Sequence, residues 1–179
     1  MTSSTEDALG NELQLSSARM MELAELASRL IVERIDSLST EPAWCGGTRA
    51  ELEAIMREDP PEEGRLPEQV LERAAREILP VAARVDHPRF FAFVPSSPTW
   101  PSVLADYMAA GHNVFQGTWL GASGPSQLEV VVIDWFRDWI GYPTTAGGLF
   151  TSGGSAASLD AFVAAREAAG APDCASVYM

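Results

Sequence analysis

Between Met20 and Leu38 the apolar residues Leu23, Ala27, Leu30, Ile31, Ile35 and Leu38 recur three and four positions apart, and Glu22, Glu25, Arg29, Glu33 and Asp36 occupy much of the remainder. The pattern predicts an amphipathic helix of about twenty residues. A second, short helix is predicted from about Thr48 to Arg57, where Thr48 and Glu51 have the spacing of a capping box. The turn-rich acidic loop Glu58-Asp59-Pro60-Pro61-Glu62-Glu63-Gly64 separates it from a third helix, predicted from about Pro67 to Ala83 and interrupted or tightened at Pro80. The polar residues 1–12 are expected to fray.

The pattern changes after position 84. Phe90, Phe91 and Phe93 fall within four positions and suit a short buried strand or packed extended segment, stiffened by Pro88, Pro95, Pro98 and Pro101. Helices are predicted from Ser102 to about Ala110 and from Ser126 to about Ile140, the latter burying Leu128, Val131, Val132, Trp135, Phe136 and Trp139, with a small-residue loop running up to Pro125. Gly147-Gly148-Leu149-Phe150 reads as the end of a short strand, and Ala175-Ser176-Val177-Tyr178-Met179 as the start of a parallel one. This order of elements belongs to the α/β class. A helix followed by one such strand is half of an α/β unit, so either more chain exists elsewhere or this is a truncated product. Residues 1–83 form a helical arm, whose apolar stripe is expected to pack on another subunit, and 84–179 the first part of an incomplete domain.

Composition narrows the function. The 179 residues, 46% of them apolar, suffice for one domain with a sizeable core. A formal net charge of −13 leaves no basic stripe for nucleic acid. No apolar run approaches the roughly 20 residues that cross a bilayer, and the polar, acidic start is unlike a signal peptide, so no membrane partner is expected and the cytoplasm is the default location. Cys45 and Cys174, far apart and without ligand spacing, read as reduced thiols rather than a metal site.

The strongest chemical signal is Phe150-Thr151-Ser152-Gly153-Gly154-Ser155-Ala156-Ala157-Ser158-Leu159. Adjacent glycines admit an anion close to the backbone, serines on both sides offer hydroxyls, and the helix-forming run Ala156 to Ala169 would aim its first N–H groups at the same place. A Gly-Gly-Ser loop opening an ordinary helix gives the same letters, so the turn alone leaves both readings open. All twelve basic residues are arginine, and the sequence contains no lysine.

Five blocks taken in order carry a resemblance: His87-Pro88-Arg89-Phe90-Phe91-Ala92-Phe93; Pro101-Ser102-Val103-Leu104-Ala105-Asp106; Trp119; Leu128-Glu129 with Asp134-Trp135; and Thr151-Ser152-Gly153-Gly154-Ser155. From about residue 20 to 179 the chain resembles the N-terminal part of a group II pyridoxal-phosphate-dependent decarboxylase, the group of the aromatic L-amino-acid, tyrosine, histidine and glutamate decarboxylases. The resemblance implies a fold-type-I, aspartate-aminotransferase-like large domain, a homodimer embraced by its N-terminal helices, and an amino-acid substrate, aromatic by default. It implies that Ser152, Gly153, Gly154 and Ser155 hold the phosphate of pyridoxal 5'-phosphate. It also implies that Phe93, Val94, Pro95 and Ser96 line the substrate side-chain pocket and that Phe115 reaches the neighbouring subunit's site. Phe90 and Phe91 are read as core.

Asp86 departs from the pattern, since many aromatic-acid relatives carry an aromatic residue before the His-Pro pair. His87 is read as a hydrogen-bonded structural residue, and neither it nor His112 matches the family's ring-stacking histidine. The family's lysine, pyridine-facing acid and stacking histidine all match positions beyond 179, so no catalytic residue is assigned here. Three readings follow: one portion of a decarboxylase, completed by a C-terminal remainder that brings the lysine; a catalytically dead interaction module; or a bare phosphate or nucleotide binder that leaves the other four blocks unexplained.

Overall fold

The computed structural model describes residues 15–172 together with Cys174 and Ser176. The chain forms two compact units, Met1–Ser102 and Val103–Met179. Apart from Ser176, the strand expected at 175–179 lies outside the described residues.

In the first unit, α1 (Ser17–Ser37) opens on Ser16, whose hydroxyl accepts the Arg19 N–H at 3.2 Å. Its buried face is Leu26 and Leu30, flanked by the half-buried Leu23 and Ala27. Ile31 and Ile35, expected on the same stripe, are exposed: they lie about 100° round the helix from Leu30 and Arg34, which face the body of the unit. α2 (Arg49–Met56) has the expected capping box, with the Glu51 carboxylate accepting the Thr48 N–H at 2.8 Å and the Thr48 hydroxyl accepting the Glu51 N–H at 3.3 Å. The Thr48 hydroxyl, which also lies 2.7 Å from the Glu51 carboxylate and donates to it, and the Thr48 N–H together hold Glu51 below the usual carboxylate range. Thr48→Ala is therefore expected to cost about 1 kcal/mol, read as a lowered urea midpoint.

α3 (Pro67–Arg73) starts on Pro67 and runs into one π-helical turn, Ala74–Ile78. The third helix thus ends at Ile78 rather than near Ala83. The chain widens there because Pro80 brings no N–H for a helical bond, and the Leu79 N–H reaches back to the Ala74 carbonyl at 2.9 Å. Arg19 of α1 pairs with Glu68 of α3, and Glu58 receives both Arg65 at 2.9 Å and Arg73 at 2.5 Å.

Residues 41–45 and 82–89 are tied together. Trp44 and Ala83 form an isolated antiparallel bridge, with Cys45 N–H to Ala82 O at 3.3 Å and Arg84 N–H to Ala43 O at 3.0 Å. His87, 3% exposed, takes the Arg89 N–H on Nδ1 at 2.9 Å, which fixes the tautomer that donates from Nε2 to the Glu41 carbonyl at 3.0 Å. Its structural role stands as expected. The departure at Asp86 also has a structural account: its two carboxylate oxygens receive both terminal nitrogens of Arg34, the Nη2–Oδ1 bond at 2.6 Å. Asp86 fastens α1 to the segment ahead of His87.

α4 (Trp100–His112) opens on a reciprocal pair, Thr99 N–H to Ser102 Oγ at 3.1 Å and Ser102 N–H to Thr99 Oγ1 at 3.4 Å. In the second unit, α5 (Trp119–Ile140) is capped by Thr118 and bends at Ala122, whose backbone is non-helical. The expected loop before Pro125 is helical instead. Pro125 leaves the Gly121 carbonyl without its usual donor, and the bend absorbs the ring rather than unwinding the turn. α5 stops at Gly141 in the left-handed conformation, φ 74°, with Tyr142 N–H bonded to Arg137 O at 3.0 Å. α6 (Gly154–Ala168) closes the same way, with Gly170 at φ 83°.

The described residues contain no β-strand. Residues 147–150 form neither helix nor strand: a strand exists only with a partner strand to receive its N–H and C=O groups, and none pairs with them among the described residues. For the same reason the apolar face of α5 is uncovered: Leu128, Trp135, Phe136 and Trp139 are all exposed, and Ala122 is the buried residue of this helix.

Candidate functional site

The glycine turn is held open by its own side chains. The Thr151 hydroxyl donates to the Gly153 carbonyl at 3.0 Å, and the same carbonyl accepts the Ala157 N–H at 3.0 Å, the first bond of α6. The N–H groups of Gly154, Ser155 and Ala156 precede any intrahelical acceptor. Ser16, Thr48 and Thr118 cap α1, α2 and α5 with a side-chain oxygen, but no side chain caps α6 at Gly153. Ser152, Gly153, Gly154 and Ser155 are exposed, and a Cβ built on either glycine would meet nothing within 4 Å. Uncapped donors, the positive end of a fifteen-residue helix, two flanking hydroxyls and clear space together suit a phosphate group.

The lead-in to this turn is anchored from α5. Glu129, half-buried, accepts the Phe150 N–H on Oε1 at 3.0 Å and the Gln116 amide on Oε2 at 2.7 Å. A broad cleft is lined by Gln116, Pro125, Leu128, Glu129, Val132 and Phe150. Neither the Thr151 nor the Glu129 role was legible beforehand. Thr151 sits one residue outside the Ser-Gly-Gly-Ser core, and the partner of Glu129 lies 21 positions away.

The other candidate residues stand apart from the turn in sequence. Phe93 has φ 61°, a conformation that a bulky side chain rarely takes, and is 90% exposed, with its ring 6.5 Å from that of Phe90. Val94, Pro95 and Ser96 are exposed beside it. Phe91 is exposed too, and its assignment to the core is corrected: nothing in its unit lies over that ring. In the second unit Phe115 is exposed and its ring lies over Gly117, where any Cβ would fall within the ring. The His112 Nδ1 is bonded to Met108 O at 2.8 Å, within its own helix.

Comparison with known proteins is consistent across sequence and structure. The model of the pyridoxal-dependent decarboxylase conserved domain matches residues 50–171. An aromatic-L-amino-acid decarboxylase of Bacillus atrophaeus is 36% identical over 160 residues, covering 89% of this chain and 33% of that protein. An L-2,4-diaminobutyrate decarboxylase of Acinetobacter baumannii is 30% identical over 130 residues, 73% of this chain and 26% of that protein. The crystal structure of Catharanthus roseus tryptophan decarboxylase in complex with L-tryptophan superposes with a TM-score of 0.79 at 21% identity, over 88% of this chain and 35% of that one, which shows a shared fold. The chain thus spans about a third of the length of the relatives it matches. No helix among the described residues is long and apolar enough to cross a membrane.

Proposed function

The chain belongs to the pyridoxal-dependent decarboxylase family, and we propose that it supplies the cofactor-phosphate cradle and part of the substrate pocket of an amino-acid decarboxylase. The observation that carries this reading is the uncapped, glycine-lined start of α6 lying inside the matched domain. Gly154, Ser155 and Ala156 donate backbone N–H groups to the phosphate, and the Ser152 and Ser155 hydroxyls add two further donors. Thr151 holds the Gly153 carbonyl turned into the helix, away from the anion. When bound, pyridoxal phosphate supplies an electron sink for the charge that builds at the substrate α-carbon as carbon dioxide leaves.

Phe93, Val94, Pro95 and Ser96 form an apolar wall for the substrate side chain, and Phe115 extends to the site of a neighbouring subunit in a homodimer. An aromatic L-amino acid suits such walls, and the Bacillus atrophaeus relative is named for that activity. Residues 1–83 act as the helical dimerisation arm of that assembly and 84–179 as part of its cofactor-binding domain, in a cytoplasmic enzyme. The lysine that anchors the cofactor covalently is not among the 179 residues. The chain therefore acts together with a lysine-bearing segment, continuous with it or separate.

The missing lysine also favours a second reading, a catalytically dead interaction module. Titration of the purified chain with pyridoxal phosphate, followed by addition of a lysine-bearing C-terminal portion of a relative, separates the two. Phosphate-competed cofactor binding and release of carbon dioxide from an aromatic amino acid on mixing are expected. Association with that portion without cofactor bound at the turn would establish the interaction module instead.

A further inference from the structure

We propose that Glu129 is a positioning residue for the cofactor turn, a carboxylate brace that fixes where residues 151–155 meet a phosphate; this rests on the reading of that turn as the phosphate cradle. The side chain reaches from the middle of α5 and uses each oxygen on a different segment: Oε1 for the Phe150 N–H at 3.0 Å, Oε2 for the Gln116 amide at 2.7 Å. Phe150 stands two residues before Ser152, at the end of a segment that has no strand partner among the described residues. The Glu129 bond ties the backbone at the entry of the turn to a rigid element, the same helix on which the Phe150 ring packs edge-on against Phe136 at 6.2 Å. Gln116 follows Phe115, so the same carboxylate sets the substrate-side loop and the cofactor-side loop against one helix.

The residue type supports geometry over charge. A carboxylate near an anion site opposes phosphate binding, so Glu129 does not assist as a charge. What it offers is acceptance at both oxygens, which a glutamine matches only if the Gln116 amide turns over. Removing the acceptor leaves the Phe150 N–H without a partner and the approach of the glycines unset. Charge removal with the acceptor kept leaves the turn in place.

The test is a titration of the full chain with inorganic phosphate and, separately, with pyridoxal phosphate, followed through the backbone amide resonances of Gly153 and Gly154, with far-ultraviolet circular dichroism for helix content. In the unsubstituted chain phosphate shifts those two amides. Glu129→Ala is expected to weaken phosphate binding about tenfold at unchanged helix content, and Glu129→Gln to bind phosphate as tightly as the parent or more so. If Glu129→Ala does not fold, Glu129→Met, which fills the space without an acceptor, must show the same loss. Parental affinity in the folded Ala or Met variant would overturn the positioning role and leave the cradle intact. Failure of phosphate to perturb the Gly153 and Gly154 amides in the parent chain would instead remove the cradle reading itself.

Discussion

Replacing Gly153 and Gly154 together with alanine is expected to lower the affinity for pyridoxal phosphate about a hundredfold, or about 2.7 kcal/mol, while the fold stays as stable as before or gains slightly. The two effects separate because of what surrounds these residues. A methyl group at either position meets no protein atom within 4 Å, so no clash opposes it. Gly153 is extended and Gly154 is the first residue of α6, conformations open to alanine, and removing a helix glycine stabilises by roughly 0.5–1 kcal/mol. The Cα–Cβ bonds of a helix tilt toward its N-terminus, so a methyl on Gly154 enters the space where the phosphate oxygens approach the first N–H groups, and one on Gly153 crowds the backbone directly before them. Fluorescence titration with the cofactor measures the first effect and thermal unfolding the second. Undiminished affinity in the double variant would place the phosphate elsewhere.

Arg34→Met is expected to destabilise the first unit by about 2 kcal/mol, and Asp86→Asn by less, about 1 kcal/mol. The asymmetry follows from exposure. The Asp86 side chain is 11% exposed and that of Arg34 44%, so the arginine variant strands a nearly buried carboxylate, whereas the asparagine variant leaves a guanidinium that reaches water. The Arg34 hydrogen bond holds the Asp86 carboxyl below its ordinary value of 3.8, against the opposing effect of burial. A carboxyl depressed in the folded state contributes stability that is fully present above its unfolded value and is lost as the pH falls through the folded one. Urea midpoints of the parent chain and Arg34→Met should therefore differ at neutral pH, begin to approach one another as the pH falls below about 3.8, and converge only once it has passed through the lower, folded value. An unchanged gap at low pH would show that the Arg34 stem, and not its charge, holds α1.

Local chemistry was the legible part of this chain. The Thr48–Glu51 capping box, the start of α3 at Pro67 and the glycine turn opening α6 each depend on a few adjacent residues, and the structure has all three. What depended on distant partners was not legible. Asp86 was legible only as a departure from the family pattern, because its partner Arg34 lies 52 positions earlier. Glu129 belonged to a recognised block without a role, because its partners are 13 and 21 positions away. Burial failed most clearly on α5, where Leu128 and Trp139 have the right spacing for a core but no layer in this unit to pack against. Periodicity identifies the face a helix offers and not what covers it.

The tie between residues 41–45 and 82–89 has a consequence for how the first unit is made. The Trp44–Ala83 bridge, the two backbone bonds beside it and His87 clip the base of an excursion of about forty residues that carries α2, α3 and the π-helical turn. Closing a loop of that length costs on the order of 3 kcal/mol of chain entropy, and doubling it adds only about 0.6 kcal/mol. The clip is therefore a long-range contact whose bonds must offset that closure cost, while the acidic tip at 58–64 tolerates added length. Evolution or an engineer can lengthen that tip without loosening α1, whereas loss of the His87 ring, which bonds both Glu41 and Arg89, weakens the clip while Arg19 and Glu68 still join α3 to α1.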